Sequence, residues 1–474
     1  MKIALVHYHL HRGGVTSVIY NQAQALLEGG DEVLIITGDE CPADAPFPGV
    51  CVKALQYDRP GTPEAPARDS EEGARNLADS LLRAMESHWG IPADIIHVHN
   101  PLIQKNAALV PAVNILTGQG LRFLLQNHDL AEDFRPDVYM VHDEYPENCH
   151  YAVINSRDYS FLHRAGLKTA GLHLLPNEVS PLDAAPGLEQ KRYLYPVRGI
   201  KRKNLGEALF LSLFIPKGKT IAVTLPPNSE KDHRVYRFWV GLAEELRLPV
   251  EFGIGSTDTF SRIIGSASCV ITTSVKEGFG FSFLEPWTAG RAVIGRRIDY
   301  VCKDFEEAGV RFDSLYSSIN IPMVYISQAM LRKKMDHTIA GVYEAFGLEP
   351  PHYIIKMLND ELFSRDELDF GRMDEDSQEY IIRTMVSNEA VFRDIAEVNP
   401  FLTELAGWRP DEDLITRNRE VISNVYGRDR IRQKMREVYQ AVHTTPVVHK
   451  ISKTMLLELY LDPLRLSLVE VGNE

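Results

Sequence analysis

The chain has 474 residues, too many for one ordinary hydrophobic core, so two domains or more are expected. It is 44% hydrophobic and 24% charged, as in globular proteins, and its formal net charge of −14 argues against a nucleic-acid binder. No apolar run approaches the roughly 18 residues of a membrane span, and the first residues lack the apolar core of a signal peptide.

Strands and helices alternate through the first part of the chain. The predicted strands are KIALVHYH (2–9), DEVLIITG (31–38), ADIIHVHN (93–100), LRFLLQNHD (121–129) and YAVINS (151–156). Apolar residues at helical spacing predict helices at 15–30 and 77–90, and residues 58–72 read as a polar, proline-rich loop. Apolar strands separated by helices predict a parallel sheet covered on both faces. Residues 1–182 are therefore expected to form a Rossmann-like domain.

The pattern restarts after a segment rich in proline and charge near residues 176–192, which we interpret as an interdomain hinge. The second set of predicted strands is YLYPV (193–197), KTIAVTLP (219–226), VEFGIG (250–255), CVITTS (269–274) and AVIGRR (292–297). These predict a second Rossmann-like domain at 190–302. Residues 303–474 read as a helical elaboration followed by C-terminal helices that complete the second domain.

Polar clusters follow the strands of the first domain. They are HYHLHRGG (7–14), HVHN (97–100) and QNHD (126–129). Ligands bind open α/β sheets beyond the carboxyl ends of the strands, so these clusters predict the rim of a cleft. The His-x-His-x-His spacing also permits a zinc site, but it lacks a nearby carboxylate or cysteine, and packing or hydrogen-bonding roles are favoured.

Two further stretches predict an anion site. Gly13 and Gly14 open a helix, where backbone amides can face a phosphate. In KEGFGFSFLEPWTAG, a helix is expected to start near Gly280, with Glu277 before it and Glu285 within it. Two carboxylates on either side of a phosphate site are typical of a ligand with many hydroxyls and a diphosphate, such as a nucleotide sugar.

Arg198 and Lys203 lie just past a predicted strand, within VRGIKRKN. By themselves they read as a solvated basic turn. Across a cleft from a helix N-terminus, they can instead neutralise a departing diphosphate.

Together these motifs resemble the GT-B glycosyltransferases of the large retaining family 4. The family's Glu-x7-Glu motif corresponds to Glu277 and Glu285, and its Arg-x4-Lys pair to Arg198 and Lys203. The IHVHN, NHD and LPNEV segments also fit. The helical stretch after residue 303 departs from the family pattern, and Pro286 is expected to kink or restart the helix that carries Glu285. The resemblance implies a GT-B fold, with two Rossmann-like parallel-sheet domains facing a cleft.

The resemblance also implies roles for individual residues. Residues 1–182 would be the acceptor domain and 190–302 the donor domain. Glu285 would hold the ribose hydroxyls and Glu277 those of the donor sugar. The expected contacts of the nucleotide sugar, besides Arg198, Lys203 and these two glutamates, are Gly13, Gly14, Gly278, Phe279, Gly280, Phe281 and Ser282. His128 would lie near the anomeric carbon, with Asp129 orienting it. The acceptor-side candidates are His9, His11, His99, Asn100 and Asn127.

The implied reaction is transfer of a hexose with retention of configuration. The co-substrate would be a UDP- or GDP-linked sugar, and no protein nucleophile, metal or other cofactor is required. Asp-x-Asp occurs at Asp374/Asp376 and Asp411/Asp413, but in polar helical surroundings that favour a solvated surface.

The acceptor is less well defined by the sequence. Acidic residues outnumber basic ones by about ten over residues 1–182, which favours a small soluble acceptor over an anionic membrane lipid. A sugar or sugar acid fits, as in synthesis of compatible solutes such as mannosylglucosylglycerate. A phosphorylase of the trehalose-phosphorylase type, a lipid-acceptor transferase and a non-catalytic sugar-nucleotide-binding protein remain alternatives.

The expected partners and compartment follow from the same observations. Five scattered cysteines without metal-ligand spacing predict reduced thiols and a cytoplasmic location. The expected partners are the nucleotide sugar and the acceptor, with no nucleic acid and no stable membrane association. A homo-oligomer is left open.

Overall fold

The computed structural model describes residues 1–11, 13–41, 45–58, 70–139, 144–462 and 465–471. The chain divides into two compact units. The first unit comprises Met1–Glu178 and Asn424–Leu461, and the second comprises Val179–Ser423 and Asp462–Glu474. Each unit contains its own parallel sheet.

The first stretch of the chain supplies the sheet of the first unit. Its elements are β1 (Lys2–His7), α1 (Gly14–Glu28), β2 (Glu32–Thr37), β3 (Gly49–Cys51), α2 (Glu71–Trp89), β4 (Ile95–His99), α3 (Leu109–Gly118), β5 (Phe123–Asn127), β6 (His150–Val153), α4 (Ser156–Arg164) and β7 (Leu172–Leu174). The seven strands are parallel, in the order β3-β2-β1-β4-β5-β6-β7. The predicted first Rossmann-like domain is thus confirmed.

Local sequence explains most of these boundaries. The Oγ of Ser70 caps α2 by accepting the amide of Gly73 at 3.0 Å, and Gly90 ends that helix at φ 74°. The predicted strand at 2–9 is two residues too long, because β1 ends at His7 and both Tyr8 and His9 lie beyond it. Within the predicted loop at 58–72, residues 59–69 lie outside the described residues.

The second stretch supplies the sheet of the second unit. Its elements are β8 (Arg192–Arg198), α5 (Leu205–Ser212), β9 (Thr220–Leu225), α6 (Glu230–Glu245), β10 (Val250–Phe252), α7 (Phe260–Gly265), β11 (Ala267–Thr272), α8 (Glu285–Thr288), β12 (Val293–Arg296), α9 (Asp299–Glu307) and β13 (Leu315–Tyr316). The six strands are parallel, in the order β10-β9-β8-β11-β12-β13. This confirms a second Rossmann-like domain, but its predicted end at residue 302 is too early, because β13 completes the sheet at Leu315–Tyr316.

The predicted helical elaboration follows in the same unit. Its elements are β14 (Asn320–Pro322), α10 (Gln328–Ala345), α11 (His352–Phe363), β15 (Glu367–Asp369), α12 (Glu375–Ser387), α13 (Glu389–Val398), α14 (Pro400–Glu404) and α15 (Glu412–Tyr426). Strands β14 and β15 form a small antiparallel pair. Asn388 separates α12 from α13 because its side chain accepts the amides of Ala390 and Val391, which starts a new helix.

The last helices are α16 (Arg428–Thr444), α17 (Lys453–Tyr460) and α18 (Leu468–Val471). The sequence interpretation assigned this region to the second domain, whereas residues 424–461 pack in the first unit. Ile431, Met435, Val438 and Val442 form an apolar face on α16 that packs against the core under β1, β2 and β4. Helical spacing reveals this face but not the sheet that it covers.

No helix in the described part of the chain is both long enough and apolar enough to cross a membrane.

Candidate functional site

The second unit brings two predicted site residues together beyond the carboxyl ends of β8 and β11. Lys203 ends a 3-10 turn at Lys201–Lys203 after β8, and Glu277 lies in the loop after β11. The two strands are adjacent and parallel, so the loops that follow them reach the same edge of the sheet.

Glu277 is buried and forms ion pairs with two cations, Arg202 and Lys203. Its Oε2 accepts a hydrogen bond from Arg202 at 2.9 Å, and its Oε1 accepts one from the Nζ of Lys203. Burial alone raises the pKa of Glu277, but the charges of Lys203 and Arg202 lower it to about 2. Burial lowers the pKa of Lys203, and the Glu277 carboxylate opposes that shift. We call these three residues the Glu277 cluster.

Arg198, the predicted partner of Lys203, is engaged elsewhere. Its guanidinium donates to the carbonyl oxygen of Pro226 at 3.1 Å and to the Oδ1 of Asn228 at 2.5 Å. Arg202, which the sequence interpretation did not single out, lies beside Lys203 in the cluster. All three residues of the turn Lys201–Lys203 are basic, so the sequence does not indicate which of their side chains point toward Glu277.

The turn that carries Lys203 is held from several directions. The Lys203 carbonyl accepts hydrogen bonds from the Tyr195 hydroxyl at 2.7 Å and from the Thr273 hydroxyl at 3.0 Å. The next residue, Asn204, has a left-handed φ of 48° and accepts a hydrogen bond from Gln378 of α12 at 3.0 Å. The helical elaboration therefore supports the Glu277 cluster, and sequence spacing could not have identified Gln378.

The loop after Glu277 differs from its prediction. No α-helix starts near Gly280: residues Phe281–Phe283 form a 3-10 turn, and the short helix α8 begins at Glu285, with Pro286 in its first turn. Pro286 thus restarts the helix, as predicted. Gly280 has φ 87°, and a Cβ there would lie 2.7 Å from Val301. The fold itself therefore requires glycine at position 280.

Two side chains of this loop have unusual polar environments. The Oγ of Ser282 is buried without a hydrogen-bond partner in the described part of the chain. Burial raises the pKa of Glu285 to about 7. Phe279, also predicted to contact the donor, is buried with its ring edge-on to Phe281 and Phe305.

Gly13 and Gly14 have open surroundings within the first unit. Gly13 is extended (φ −177°) at the start of α1. Among the described residues, no atom lies within 4 Å of a Cβ built on Gly14, and the nearest to one on Gly13 is 3.8 Å away. Neither backbone strain nor contacts with described residues explain these glycines.

His99, His128 and Asn100 meet at the carboxyl ends of β4 and β5. The Nδ1 of His99 lies 3.0 Å from the Nε2 of His128, and both rings are buried. The Oδ1 of Asn100 accepts the amides of His128 at 2.6 Å and of Asp129 at 3.2 Å. Asn127 is buried and donates to the Leu125 carbonyl at 3.1 Å. Sequence reasoning thus placed these strand ends together correctly.

Asp129, expected to orient His128, acts on its ring through charge, which raises the pKa of His128 against the larger effect of burial, and no hydrogen bond joins the two side chains in the described part of the chain. The Asp129 carboxylate accepts a hydrogen bond from Arg135 at 2.8 Å, and the ring of His128 contacts His99 instead. Asp129 is next to His128 in the sequence, which favours a contact between them. In the structure, Asn100 accepts hydrogen bonds from the backbone amides of His128 and Asp129, and the Asp129 side chain pairs with Arg135.

His9 and His11 lie at the end of β1. His9 is partly exposed, with its Nε2 3.1 Å from the Tyr57 hydroxyl, and His11 is exposed, with its Nε2 2.9 Å from Asp39. Among the described residues, no group of three His, Cys, Asp or Glu side chains could hold a metal ion.

The two Asp-x-Asp pairs have partners within the protein. Asp374 and Asp376 both form ion pairs with Lys334, and Asp411 accepts hydrogen bonds from two backbone amides at the start of α15.

Lys105 is a further candidate in the first unit. It is partly buried, with its Nζ 5.8 Å from the centre of the Tyr57 ring, and it forms no ion pair with a described carboxylate. Burial and then the charge of nearby Arg135 lower its pKa. Gln104, which precedes it, has φ 34°. A single lysine between two predicted strands carries no sequence signal, so the sequence does not predict it.

No protein-family model matches the chain. A mannosylglucosyl-3-phosphoglycerate synthase from Petrotoga mobilis is 24% identical over 442 residues, which is 83% of each chain. Among solved structures, a sucrose-phosphate synthase from Thermosynechococcus elongatus matches with a TM-score of 0.55 and 16% identity, covering 93% of this chain and 98% of that one. Anabaena HepE, solved with UDP and glucose, matches with a TM-score of 0.53 and 12% identity, covering 92% and 98%.

The chain has the GT-B fold. The two parallel sheets, of seven and six strands, and the matches over more than nine-tenths of the chain establish this. TarM matches similarly, with a TM-score of 0.52 at 11% identity over 92% of this chain and 98% of that one. At such low identities these likenesses concern the fold, and the residue contacts described above must support any activity.

Gly14→Ala is expected to weaken nucleotide binding without destabilising the protein. A methyl group on Gly14 meets no protein atom within 4 Å, so stability should stay unchanged or rise by less than about 1 kcal/mol. If a diphosphate approaches this backbone, the methyl group should raise Kd at least about tenfold. Urea unfolding and calorimetric titration with UDP and GDP measure the two effects.

Gly118→Ala is the matched control, since Gly118 lies in α3 and a Cβ there also meets nothing within 4 Å. This variant should be at least as stable as wild type and bind nucleotide normally. Unchanged nucleotide affinity in Gly14→Ala would remove Gly14 from the donor site.

Proposed function

We propose that the protein is a retaining glycosyltransferase that moves a hexose from a UDP- or GDP-linked sugar to a small soluble acceptor, a sugar or sugar acid. The donor would bind at the carboxyl edge of the second sheet and the acceptor at that of the first. The observation that carries this proposal is the Glu277 cluster.

The Glu277 cluster has the chemistry that binding a sugar diphosphate needs. Lys203 supplies a positive charge on a side chain that is only 12% exposed, where electrostatic interactions are stronger than in water, and Arg202, 34% exposed, supplies a second. Glu277 stays ionised because of them, and its oxygens can accept hydrogen bonds from sugar hydroxyls as well. A solvated basic turn would not bury a carboxylate between its side chains.

The loop from Gly278 to Glu285 would bind the rest of the donor. The buried Ser282 hydroxyl has no described partner, so a diphosphate oxygen would satisfy it. Glu285, as a carboxylate, would accept hydrogen bonds from the two ribose hydroxyls. The roles of Glu277 and Glu285 follow the Glu-x7-Glu motif of the glycosyltransferase family that the sequence resembles.

Lys105 supports an acidic acceptor. Its ammonium group is partly buried, lies near the charges of Arg135 and Asp137, and forms no ion pair within the described residues, so a carboxylate or phosphate of the acceptor would pair with it. The Petrotoga mobilis relative is a synthase of mannosylglucosyl-3-phosphoglycerate, a product that contains phosphoglycerate. Both observations favour a sugar acid over a neutral lipid headgroup.

The proposed step needs no protein nucleophile. The bond from the anomeric carbon to the diphosphate oxygen breaks, and a bond to the acceptor hydroxyl oxygen forms on the same face. The acceptor proton passes to the departing diphosphate oxygen, so protons and charge balance. Arg202 and Lys203 stabilise the charge that develops on the leaving group.

A thermal-unfolding panel tests the donor site. The ligands are UDP, GDP, ADP, their hexose conjugates, inorganic phosphate and zinc, each with wild type and Lys203→Met. A ligand at about 100 times its Kd should add roughly 2.7 kcal/mol of stability. We expect one nucleotide to stabilise wild type and to have little effect on the variant.

Transfer is then tested with the stabilising nucleotide sugar and a set of acceptors that includes glycerate, 3-phosphoglycerate and neutral sugars. The NMR coupling at the new anomeric centre reports retention or inversion. Stabilisation by phosphate alone would favour a phosphorylase, and inversion would contradict the mechanism. Transfer to lipid vesicles but to no soluble acceptor would contradict the acceptor class.

A further inference from the structure

The rings of His99 and His128 lie within hydrogen-bonding distance of each other. Their facing nitrogens are 3.0 Å apart, and the ring planes are within 9° of parallel. Burial lowers the pKa of His128 to about 4 and that of His99 well below its usual value, so both rings are neutral at pH 7. In a neutral pair, one of these facing nitrogens donates a proton and the other accepts it.

The remaining nitrogen of His99 decides which ring donates. Its Nε2 is buried and has no hydrogen-bond partner among the described residues. If His128 donated, the proton of His99 would be on this Nε2, a buried N–H without an acceptor. Buried N–H groups left unpaired are rarer than unpaired acceptors. The Nδ1 of His128, by contrast, is not among the fully buried atoms that lack a partner. The favoured arrangement therefore has His99 donating from Nδ1 and His128 carrying its own proton on Nδ1.

Neighbouring rings fix the orientation of His99. The ring of His97 stacks on it with centroids 4.4 Å apart, and the ring of His7 lies edge-on to it with centroids 6.4 Å apart. His97 is anchored in turn, with its Nδ1 2.8 Å from the Tyr439 hydroxyl. These contacts give His99 little freedom to rotate away from His128.

We propose that His99 is a positioning residue that keeps the proton of His128 on Nδ1, so that His128 offers substrate an N–H donor and not a base. No described residue is hydrogen-bonded to the Nδ1 of His128. The donor role rests on the proposed function, in which the leaving diphosphate takes the acceptor proton. His128 would then hydrogen-bond to an oxygen of the bound sugar or phosphate.

The tautomer is measurable without any substrate. Long-range ¹H–¹⁵N spectra of protein labelled at histidine distinguish Nδ1–H from Nε2–H rings, and the signal lost in His128→Asn assigns the residue. We expect wild-type His128 to be the Nδ1–H form at pH 7. An Nε2–H ring would overturn the inference, whatever reaction the protein catalyses.

Two substitutions then test the positioning role. His99→Asn keeps an N–H donor close to the place of the His99 Nδ1, whereas His99→Phe keeps an aromatic ring and removes the donor. Loss of the correct tautomer should lower kcat about 100-fold in the phenylalanine variant, with less than about a threefold change in donor KM. The asparagine variant should recover most of kcat.

His173→Phe is the control because it replaces one ring of a second histidine pair in the same unit, in which the Nδ1 of His150 lies 2.9 Å from the Nε2 of His173. It should leave the His128 spectrum and kcat close to wild type. Equal loss of kcat in His99→Asn and His99→Phe would refute the positioning role. An Nδ1–H ring in a protein that transfers no sugar would contradict the proposed function alone.

Discussion

Glu277→Gln is expected to lower the free energy of unfolding by about 3–5 kcal/mol and to reduce sugar transfer at least about 1,000-fold. Glutamine has nearly the same shape as glutamate, but it leaves the buried ammonium of Lys203 without its counter-charge. Removing one partner of a buried ion pair costs the remaining partner's desolvation as well as the lost attraction. Urea unfolding and steady-state kinetics measure the two losses.

A double-mutant cycle measures the interaction energy between Glu277 and Lys203 separately from the effect of each substitution alone. Lys203→Met removes the stranded charge, so the double variant should be more stable than the sum of the single losses predicts, by about 1–3 kcal/mol. Glu251→Gln is a matched control in the same unit, because its ion pair with Arg192 is partly exposed. It should cost less than about 1 kcal/mol. Additive single losses would show that Glu277 and Lys203 do not stabilise each other.

The contribution of Glu277 should depend on pH in one direction. Its pKa falls from the ordinary 4.5 to about 2 on folding. The stabilisation is therefore fully present above pH 4.5 and is lost as the pH falls toward 2. The gap in stability between wild type and Glu277→Gln should narrow over that range.

The fold was predictable because strand and helix periodicity are local properties. Each of the long apolar strands from KIALVHYH to AVIGRR lies in one of the two parallel sheets. Residues 424–461 were assigned to the wrong unit because the apolar face of α16 shows only that the helix is covered. Which sheet covers it depends on how the chain returns, and periodicity has no information about that.

The site was predictable where it depends on strand ends and less so where it depends on side-chain direction. Lys203 meets Glu277, and His99 meets His128, because parallel strands bring their carboxyl ends to one edge. The turn Lys201–Lys203 has three basic residues, and its geometry alone directs Arg202 toward Glu277. Gln378 reaches the same turn from 174 residues away, a contact that no local pattern records.

Glu285→Gln is expected to have the opposite effect on stability from the same substitution at Glu277. Burial raises the pKa of Glu285 from 4.5 to about 7, so the folded state holds a proton that the unfolded state has released between those values. Stability therefore falls as pH rises from 4.5 to 7, and above pH 7 the full cost is present. At pH 8 the glutamine variant should be more stable than wild type by about 1–3 kcal/mol.

Unfolding by urea at pH 5, 6.5 and 8 measures this difference, and the curves of the two proteins should converge near pH 5. Nucleotide affinity of Glu285→Gln at pH 8 should fall about 10–100-fold, since hydrogen bonds to a charged group contribute about 1.5–3 kcal/mol. If Glu285→Gln is more stable but binds nucleotide more weakly, the Glu285 carboxylate serves ligand binding and lowers the stability of the fold. A destabilised variant would mean that Glu285 has a structural partner in the protein, and the donor-site assignment would then rest on Glu277 alone.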